Sequence, residues 1–315
     1  MPRIVTLTMN PAIDRTLMVD RVVPEKKLRT GPPRFEPGGG GINVARAVVR
    51  LGGDALAVFP SGGDAGRLLE RLLADETVPF KAIRISGLTR ENITIEETGT
   101  RQDYRFVVPG PEVDAMDVET CFETMLSLIE RGAFVVASGS LPAGTDAAFM
   151  ARVAGAAKQR GARFVLDSTG EPLRRALEAG VYLCKPNLRE LCDIAGVELA
   201  DDLSQEAAVR AIIDRGGAEI VLASLGPGGA LLAWKDGLMR LRTPVVPIRS
   251  RVGAGDSTVG AMVMRLAEGW ALPDAATFGV AAGAAAVMTH GSELCRREDT
   301  ERLYETMRRG GAAVA

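Results

Sequence analysis

The 315-residue chain carries 38 basic and 40 acidic side chains, so it has no global positive field with which to hold nucleic acid or an anionic membrane. Its hydrophobic fraction of 46% suffices for a substantial core. No stretch stays apolar for the roughly 18 residues of a membrane span, and the N-terminal MPRIVTLTMNPAIDR meets charge and proline before a secretory apolar run develops. A cytoplasmic protein acting on a small molecule is the expectation.

In chain order, short β-branched runs alternate with amphipathic stretches: RIVTLT, GINVARAVVRLGG, LAVFPSG, GRLLERLLADE, then FVVASGS, AAFMARVAGAAKQRG, RFVLDS, LRRALEAG, VYLCKPN, AAVRAIIDRGG and EIVLASLG. This alternation predicts an α/β fold with a mainly parallel sheet covered by helices on both faces, and ligands at the C-terminal ends of its strands. Residues 13–35 and 90–108 break the pattern as extended segments, neither interrupted by a helix, which predicts a small antiparallel lid projecting from the core. One face of such a lid could close over a ligand and the other could bury against a second subunit. Beyond about residue 250 the chain turns helical, and GGAAVA reads as a frayed end. No internal repeat interrupts the reading of 1–315 as a single domain.

Two segments carry the strongest chemical signal. In RVGAGDSTVGAM, Gly253, Ala254 and Gly255 can present backbone N–H groups at a helix N-terminus, where a transferring phosphoryl group would be stabilised, with Asp256 beside them. Asp256 is then a base next to an anion hole, or a helix cap. In PGGGGINVARA, four glycines including Gly39 and Gly40 let the backbone approach a hydroxylated ligand, and Asn43 offers a donor and an acceptor on the first turn of the following helix.

Weaker signals fit the same picture. Lys185, Asn187 and Glu190 in CKPNLREL follow a strand and suit phosphate and magnesium, and SLGPGG, from Ser224 to Gly229, is a second strand-to-glycine turn suited to phosphate oxygens. Asp14 is expected at a strand end, and Lys27, Arg29, Arg90 and Arg105 place four cations on the lid, as a substrate phosphate would require. Cys121, Cys184, Cys192 and Cys295 have neither metal-ligand nor CxxC spacing. His290, the one histidine, is expected near the C-terminal end of a packed small-residue helix, as a cap and not a base. A Walker phosphate loop, a dinucleotide fingerprint and the protein-kinase motifs are all missing.

GGGGINVARAVVRLGG and VGAGDSTVGAM, together with KPNLRE and SLGPGG, resemble the signatures of the ribokinase-like sugar kinases of the phosphofructokinase B type, in their usual order and over essentially the whole chain. Within that family TLTMNPAIDRT, FEPGGGGINVARA, YRFVVPG, SGSLP and GSELC are most similar to the minor bacterial 6-phosphofructokinases. The resemblance implies a three-layer α/β/α core with a β lid, and ATP-dependent phosphorylation of fructose 6-phosphate at its 1-hydroxyl, with Mg²⁺.

Carried over residue by residue, it implies that Asp256 removes the acceptor proton while Gly253, Ala254 and Gly255 form the anion hole. Asp14, Gly39, Gly40, Asn43 and Ser140 would hold the sugar, and Arg90, Arg105 and a neighbouring subunit's Arg29 its phosphate. Lys185, Asn187, Ser224, Gly226, Gly228 and Gly229 would bind ATP, with Val280 and Ala284 flanking adenine and Lys27 reaching across a homodimer joined by its lids. Glu190 would organise Mg²⁺ through water. Backbone carbonyls near Ser250, Val252, Ala286, Thr289 and Gly291 would form a potassium site, although Arg251 departs from the Asp and Thr that many relatives carry before VGAGD. Tagatose-6-phosphate kinases and 1-phosphofructokinases share nearly all these motifs, and a non-catalytic sugar-phosphate or nucleotide sensor on the same fold is the alternative of a different class.

Overall fold

The computed structural model describes residues 3–100 and 102–311. Strand β1 (Ile4–Leu7) reads IVTL and is buried along its whole length, as the middle of a sheet with helices on both faces requires. From it the chain detours through β2 (Ala12–Val19) and β3 (Arg34–Gly38), then runs through α1 (Gly40–Arg50), β4 (Ala55–Ser61), α2 (Gly63–Asp75) and β5 (Phe80–Arg84). A second detour, β6 (Arg90–Glu97) and β7 (Gln102–Phe106), precedes α3 (Ala115–Ser127). Strict alternation follows with β8 (Phe134–Ser138), α4 (Phe149–Gln159), β9 (Arg163–Asp167), α5 (Gly170–Ala179), β10 (Val181–Cys184), α6 (Leu188–Ala195), α7 (Asp202–Asp214) and β11 (Ala218–Ser224). The chain closes with β12 (Ala230–Trp234), β13 (Gly237–Leu241), α8 (Ala254–Ala267), α9 (Leu272–Ala286) and α10 (Arg297–Gly311).

The nine-stranded sheet has the order β13-β12-β11-β10-β9-β8-β1-β4-β5. It is parallel from β5 to β11, and the β12–β13 hairpin completes it antiparallel, β12 against β11 and β13 against β12, so that β12 alone opposes the other strands of this sheet. That hairpin was not among the expected elements, although Asp236-Gly237 between two apolar runs is a turn signal. The chain builds outward from β1 on one side to β5 and then restarts at β8 on the other, so a crevice opens at the strand C-termini beside β1. Helices α1, α8 and α9 pack one face around Val44, Val263 and Phe278, and α3, α4 and α7 the other around Phe122, Val153 and Val209. Small residues let the first group approach closely: a Cβ on Gly260 would stand 2.8 Å from the Val44 carbonyl oxygen, and one on Gly279 2.8 Å from that of Thr258.

Strands β2, β3, β6 and β7 form the second sheet, in the order β3-β2-β6-β7. The expectation of an antiparallel lid holds for β2–β3 and β6–β7, whereas β2 and β6 pair in parallel. Each detour contributes one hairpin, and both first strands leave the core in the same direction, so the pair that joins the hairpins must be parallel. Alternation along the four strands gives the lid two chemically distinct faces. Asp14, Glu36, Arg90, Asn92 and Arg105 share one, while Leu17, Phe35, Ile93, Ile95, Tyr104 and Phe106 share the other, together with Arg15 and Glu91.

Three further expectations are corrected. Lys27 and Arg29 lie in the exposed loop between β2 and β3, because prolines and charges from 20 to 33 leave nothing to pair a strand. Asp14 sits inside β2, not at a strand end. His290 lies beyond α9, in the turn after its cap Val287, with Nε2 3.2 Å from the Arg249 guanidinium. Gly310 and Gly311 continue α10, and the rest of the expected frayed end lies outside the described residues, as does Arg101 within the lid. Among the described residues no helix is long and apolar enough to cross a membrane.

Candidate active site

The glycine run before α1 is shaped by its neighbours. Gly39 is the helix N-cap with φ 113°, a conformation that favours glycine. A Cβ on Gly38 would stand 2.6 Å from an Asp14 carboxylate oxygen, and a Cβ on Gly40 would overlap the Ser138 hydroxyl. The loop therefore lies directly between the polar face of the lid and the end of β8. An idle turn would not need such close approach at successive positions.

The second helix N-terminus faces the same place. α8 is capped by Gly253 in the left-handed conformation, with no side-chain cap. Asp256 is thus not the cap: its Oδ2 accepts from Asn43 Nδ2 at 3.0 Å and its Oδ1 from the Ser138 hydroxyl at 3.2 Å. Burial, with the nearby Asp167 carboxylate, pushes its carboxyl up to about 6, against the opposing influence of Asn43, Lys185 and Ser138. A carboxylate held by neutral donors and poised near neutrality suits proton abstraction better than structural pairing.

Lys185 and Asp167 form the charged floor. Asp167 ends β9 and Lys185 directly follows the adjacent β10, and Lys185 Nζ is 3.1 Å from Asp167 Oδ1 in a nearly buried pair. Burial alone would lower the Lys185 pKa, but Asp167, Glu190 and Asp256 outweigh it and the net shift is upward, so the ammonium keeps its charge. A Cβ on Gly255 would lie 3.2 Å from Lys185 Nζ, which places this cation against the first turn of α8.

Beyond α8 opens an apolar cleft of about 670 Å³. Asn187, Ser224, Gly226, Gly229, Ala254, Gly255, Val280 and Ala284 line it, so most of the residues expected to bind nucleotide converge. Gly228 lies in the adjoining short helical turn without lining the cleft, and neither Lys27 nor Arg29 lines it. Asn187 and Glu190 have a local task that their spacing also encodes. Asn187 Oδ1 accepts from the Glu190 N–H and Glu190 Oε2 from the Asn187 N–H, a reciprocal capping box on α6. Burial raises the Glu190 pKa, with Asp167 adding to the effect.

On the glycine-loop side, the Asn43 carboxamide is more committed than its sequence position suggested. Its Oδ1 accepts from Arg46 and its Nδ2 donates to Asp256. Asp14 accepts from Asn92 at 2.9 Å, and Asn10 donates to Ser140 at 3.1 Å. Arg90 donates to the carbonyls of Asn10 and Val108 from the first position of β6, while Arg105 is exposed on the same lid face. Sequence reasoning passed over Asn10, Arg46, Asn92, Ser138 and Asp167. For Ser138 and Asp167 the signal was present, since both end parallel strands.

Near α8, the residues expected to supply carbonyls to potassium come from two segments joined by backbone: the N–H groups of Arg249 and Ser250 both donate to the Val287 carbonyl. This brings 250–252 beside 286–291. Thr289 Oγ1 is 2.8 Å from the Ala286 carbonyl oxygen and 3.1 Å from that of Leu294.

Comparison with known proteins gives a consistent pattern. The description of the pfkB family carbohydrate kinases matches residues 6–299. The ATP-dependent 6-phosphofructokinase isozyme 2 of Mycobacterium tuberculosis is 46% identical over 304 residues, covering 96% of this chain and 89% of the relative. The enzyme of the same name from Escherichia coli K12 is 42% identical over 310 residues, 98% of this chain and all of the relative (100%). The crystal structure of phosphofructokinase-2 from Escherichia coli in complex with potassium superposes with a TM-score of 0.94 at 42% identity, covering 98% of this chain and 100% of that one. The structure with fructose-6-phosphate gives 0.93 at 41% identity, with the same coverage.

Proposed function

The chain belongs to the pfkB family of carbohydrate kinases, and from that membership we propose that it transfers the γ-phosphoryl group of ATP to the 1-hydroxyl of fructose 6-phosphate in the cytoplasm. The observation that carries this reading is the position of Asp256. Its carboxylate meets Ser138 and Asn43 beside the glycine loop, and the residues immediately before it line the nucleotide cleft. An acceptor hydroxyl on the glycine-loop side would lose its proton to Asp256 as it attacks. The N–H groups of Gly253, Ala254 and Gly255 would take up the charge that develops on the transferred group, and Lys185 would stabilise it from below.

Asp14, Gly39, Gly40, Asn43 and Ser140 would orient the sugar, and Arg90 and Arg105 on the polar lid face would hold its phosphate, joined by Arg29 of a second subunit. Asn187, Ser224, Gly226, Gly228 and Gly229 would hold the nucleotide phosphates, Val280 and Ala284 the base, and Lys27 would reach the nucleotide from the second subunit. The apolar lid face, with Phe106 56% exposed and Tyr104 38% exposed, supports a homodimer joined through the lids.

Among the described residues no cluster of three His, Cys, Asp or Glu side chains could chelate a metal. Glu190 and Asp167, whose carboxylates lie beside Lys185, would meet through water the Mg²⁺ that arrives with the nucleotide. Bound there, Mg²⁺ would neutralise charge on the phosphates. Carbonyls of Ser250, Val252, Ala286, Thr289 and Gly291 would hold potassium. Exchanging potassium for sodium at constant ionic strength is expected to lower kcat/KM for ATP several-fold, and an unchanged value would remove the site.

The substrate assignment is tested by ADP release with Mg·ATP against fructose 6-phosphate, tagatose 6-phosphate, fructose 1-phosphate and fructose. The highest kcat/KM is expected with fructose 6-phosphate and the lowest with fructose, which lacks the lid's ligand. Preference for another sugar phosphate would keep the mechanism and reassign the substrate. Nucleotide binding without turnover on any sugar would point to a sensor.

A further inference from the structure

Arg46 is one of the largest fully buried side chains, with no exposed surface, and it touches neither the nucleotide cleft nor the lid cations. All its nitrogens are engaged. Nε and Nη2 grip the two Glu76 carboxylate oxygens at 2.9 and 2.7 Å, a bidentate pair. Nη1 faces three acceptors: the Pro37 carbonyl at 2.9 Å, the Ser292 carbonyl at 3.1 Å and Asn43 Oδ1 at 3.1 Å. One guanidinium thus ties the end of α2 to the glycine loop, to the turn after α9 and to the first turn of α1.

We propose that Arg46 is a positioning residue for phosphoryl transfer: anchored by Glu76, it fixes the Asn43 carboxamide so that Nδ2, and not Oδ1, faces the Asp256 carboxylate. This rests on the reading of Asp256 as the base. A carboxamide has two nearly isosteric ends, and a guanidinium has only donors. With Arg46 present, a flipped Asn43 would set donor against donor at Arg46 and acceptor against acceptor at Asp256. Arg46 therefore removes one of the two orientations, and Asn43 can serve as a permanent donor to the base. Lysine would keep the charge but could not grip Glu76 with a planar fork while reaching Asn43.

The charged and polar surroundings are few. Asp256 faces Asn43 from α1, Ser138 from β8, Asp167 from β9 and Lys185 from just beyond β10. Arg46 faces Glu76, with Arg50 on the next turn 3.4 Å from the same carboxylate and Glu36 close by on β3. Asn43 donation favours the ionised base, so losing it moves the acidic limb of the kcat profile to higher pH.

The test is a double-mutant cycle of Arg46→Lys and Asn43→Ala, read as kcat, KM and pH profile on variants shown to be folded by thermal denaturation. Arg46→Lys is expected to lower kcat about ten- to a hundredfold, as loss of a hydrogen bond to a charged group does, and to shift the acidic limb upward. In the Asn43→Ala background the same change should alter kcat less than about twofold, because the orientation it sets is gone. Equal fold losses in both backgrounds, or an unmoved acidic limb, would overturn the proposal. Should Arg46→Lys fail to fold, Glu76→Gln loosens the anchor from the partly exposed partner, and the same upward shift is expected from it. Active Asp256→Asn would instead defeat the underlying reading, whereas inactive Asp256→Asn with additive Arg46 and Asn43 effects would defeat this inference alone.

Discussion

Asp256→Asn is expected to lower kcat by about 10²–10⁴-fold, the range a positioned general base supplies, with KM for either substrate changed little. Asparagine preserves the shape of the side chain and can still meet Ser138 and Asn43, so the sugar side should keep its form. What it cannot do is accept the hydroxyl proton. Near-normal turnover in this variant would show that another group takes that proton, and no other carboxylate meets both Ser138 and Asn43 among the described residues.

The same substitution should make the protein more stable at neutral pH. The carboxyl of Asp256 is raised from 3.8 to about 6 by burial and by Asp167, so folding favours its protonated form. A raised carboxyl contributes stability that is fully present below the unfolded value and is lost as pH climbs through the folded one. Above pH 6 the wild type therefore bears a cost of at most about 3 kcal/mol, reduced by the side of the residue that opens on the cleft. The uncharged carboxamide of the variant bears none of it. Thermal unfolding at pH 8 should show the variant with the higher Tm, and the gap should close as pH falls toward 4. A gap that widened toward low pH would mean that the ionised carboxylate stabilises the fold.

The fold was legible because its signals are local. Every run read as a core strand or helix in the alternating series forms one, since a parallel sheet covered on both faces demands near-continuous apolar strands such as IVTL. Asp256 and the glycine loop were legible because glycine before a helix is a backbone requirement written in one place. What stayed hidden depends on pairs distant in sequence. Nothing near Asp167 announces that Lys185 closes on it, nothing in VARA announces that Arg46 will reach Ser292, and the parallel join of β2 and β6 follows from how two separate hairpins leave the core. Asn187 and Glu190 show the opposite problem. The same spacing that suits nucleotide and magnesium also closes a capping box, and the structure shows the box.

Lys185→Met should damage both stability and turnover, and the two losses can be separated. The Lys185 side chain is 6% exposed and that of its partner Asp167 16%, so removing the cation leaves a carboxylate buried without a counterion, which costs about 3–5 kcal/mol in comparable pairs. Asp256 loses the nearby positive charge that holds its pKa down and keeps the Asp167 charge that pushes it up, so the acidic limb of kcat should rise above 6. Adding Asp167→Asn removes the stranded charge, and Tm should recover most of the loss. Turnover should not recover with it, because the cation against the first turn of α8 would still be missing from the transferring phosphoryl group. If the double variant regained both Tm and kcat, Lys185 would be a structural counterion only, and the charge stabilisation would have to come from the α8 N-terminus and from the metal that accompanies the nucleotide.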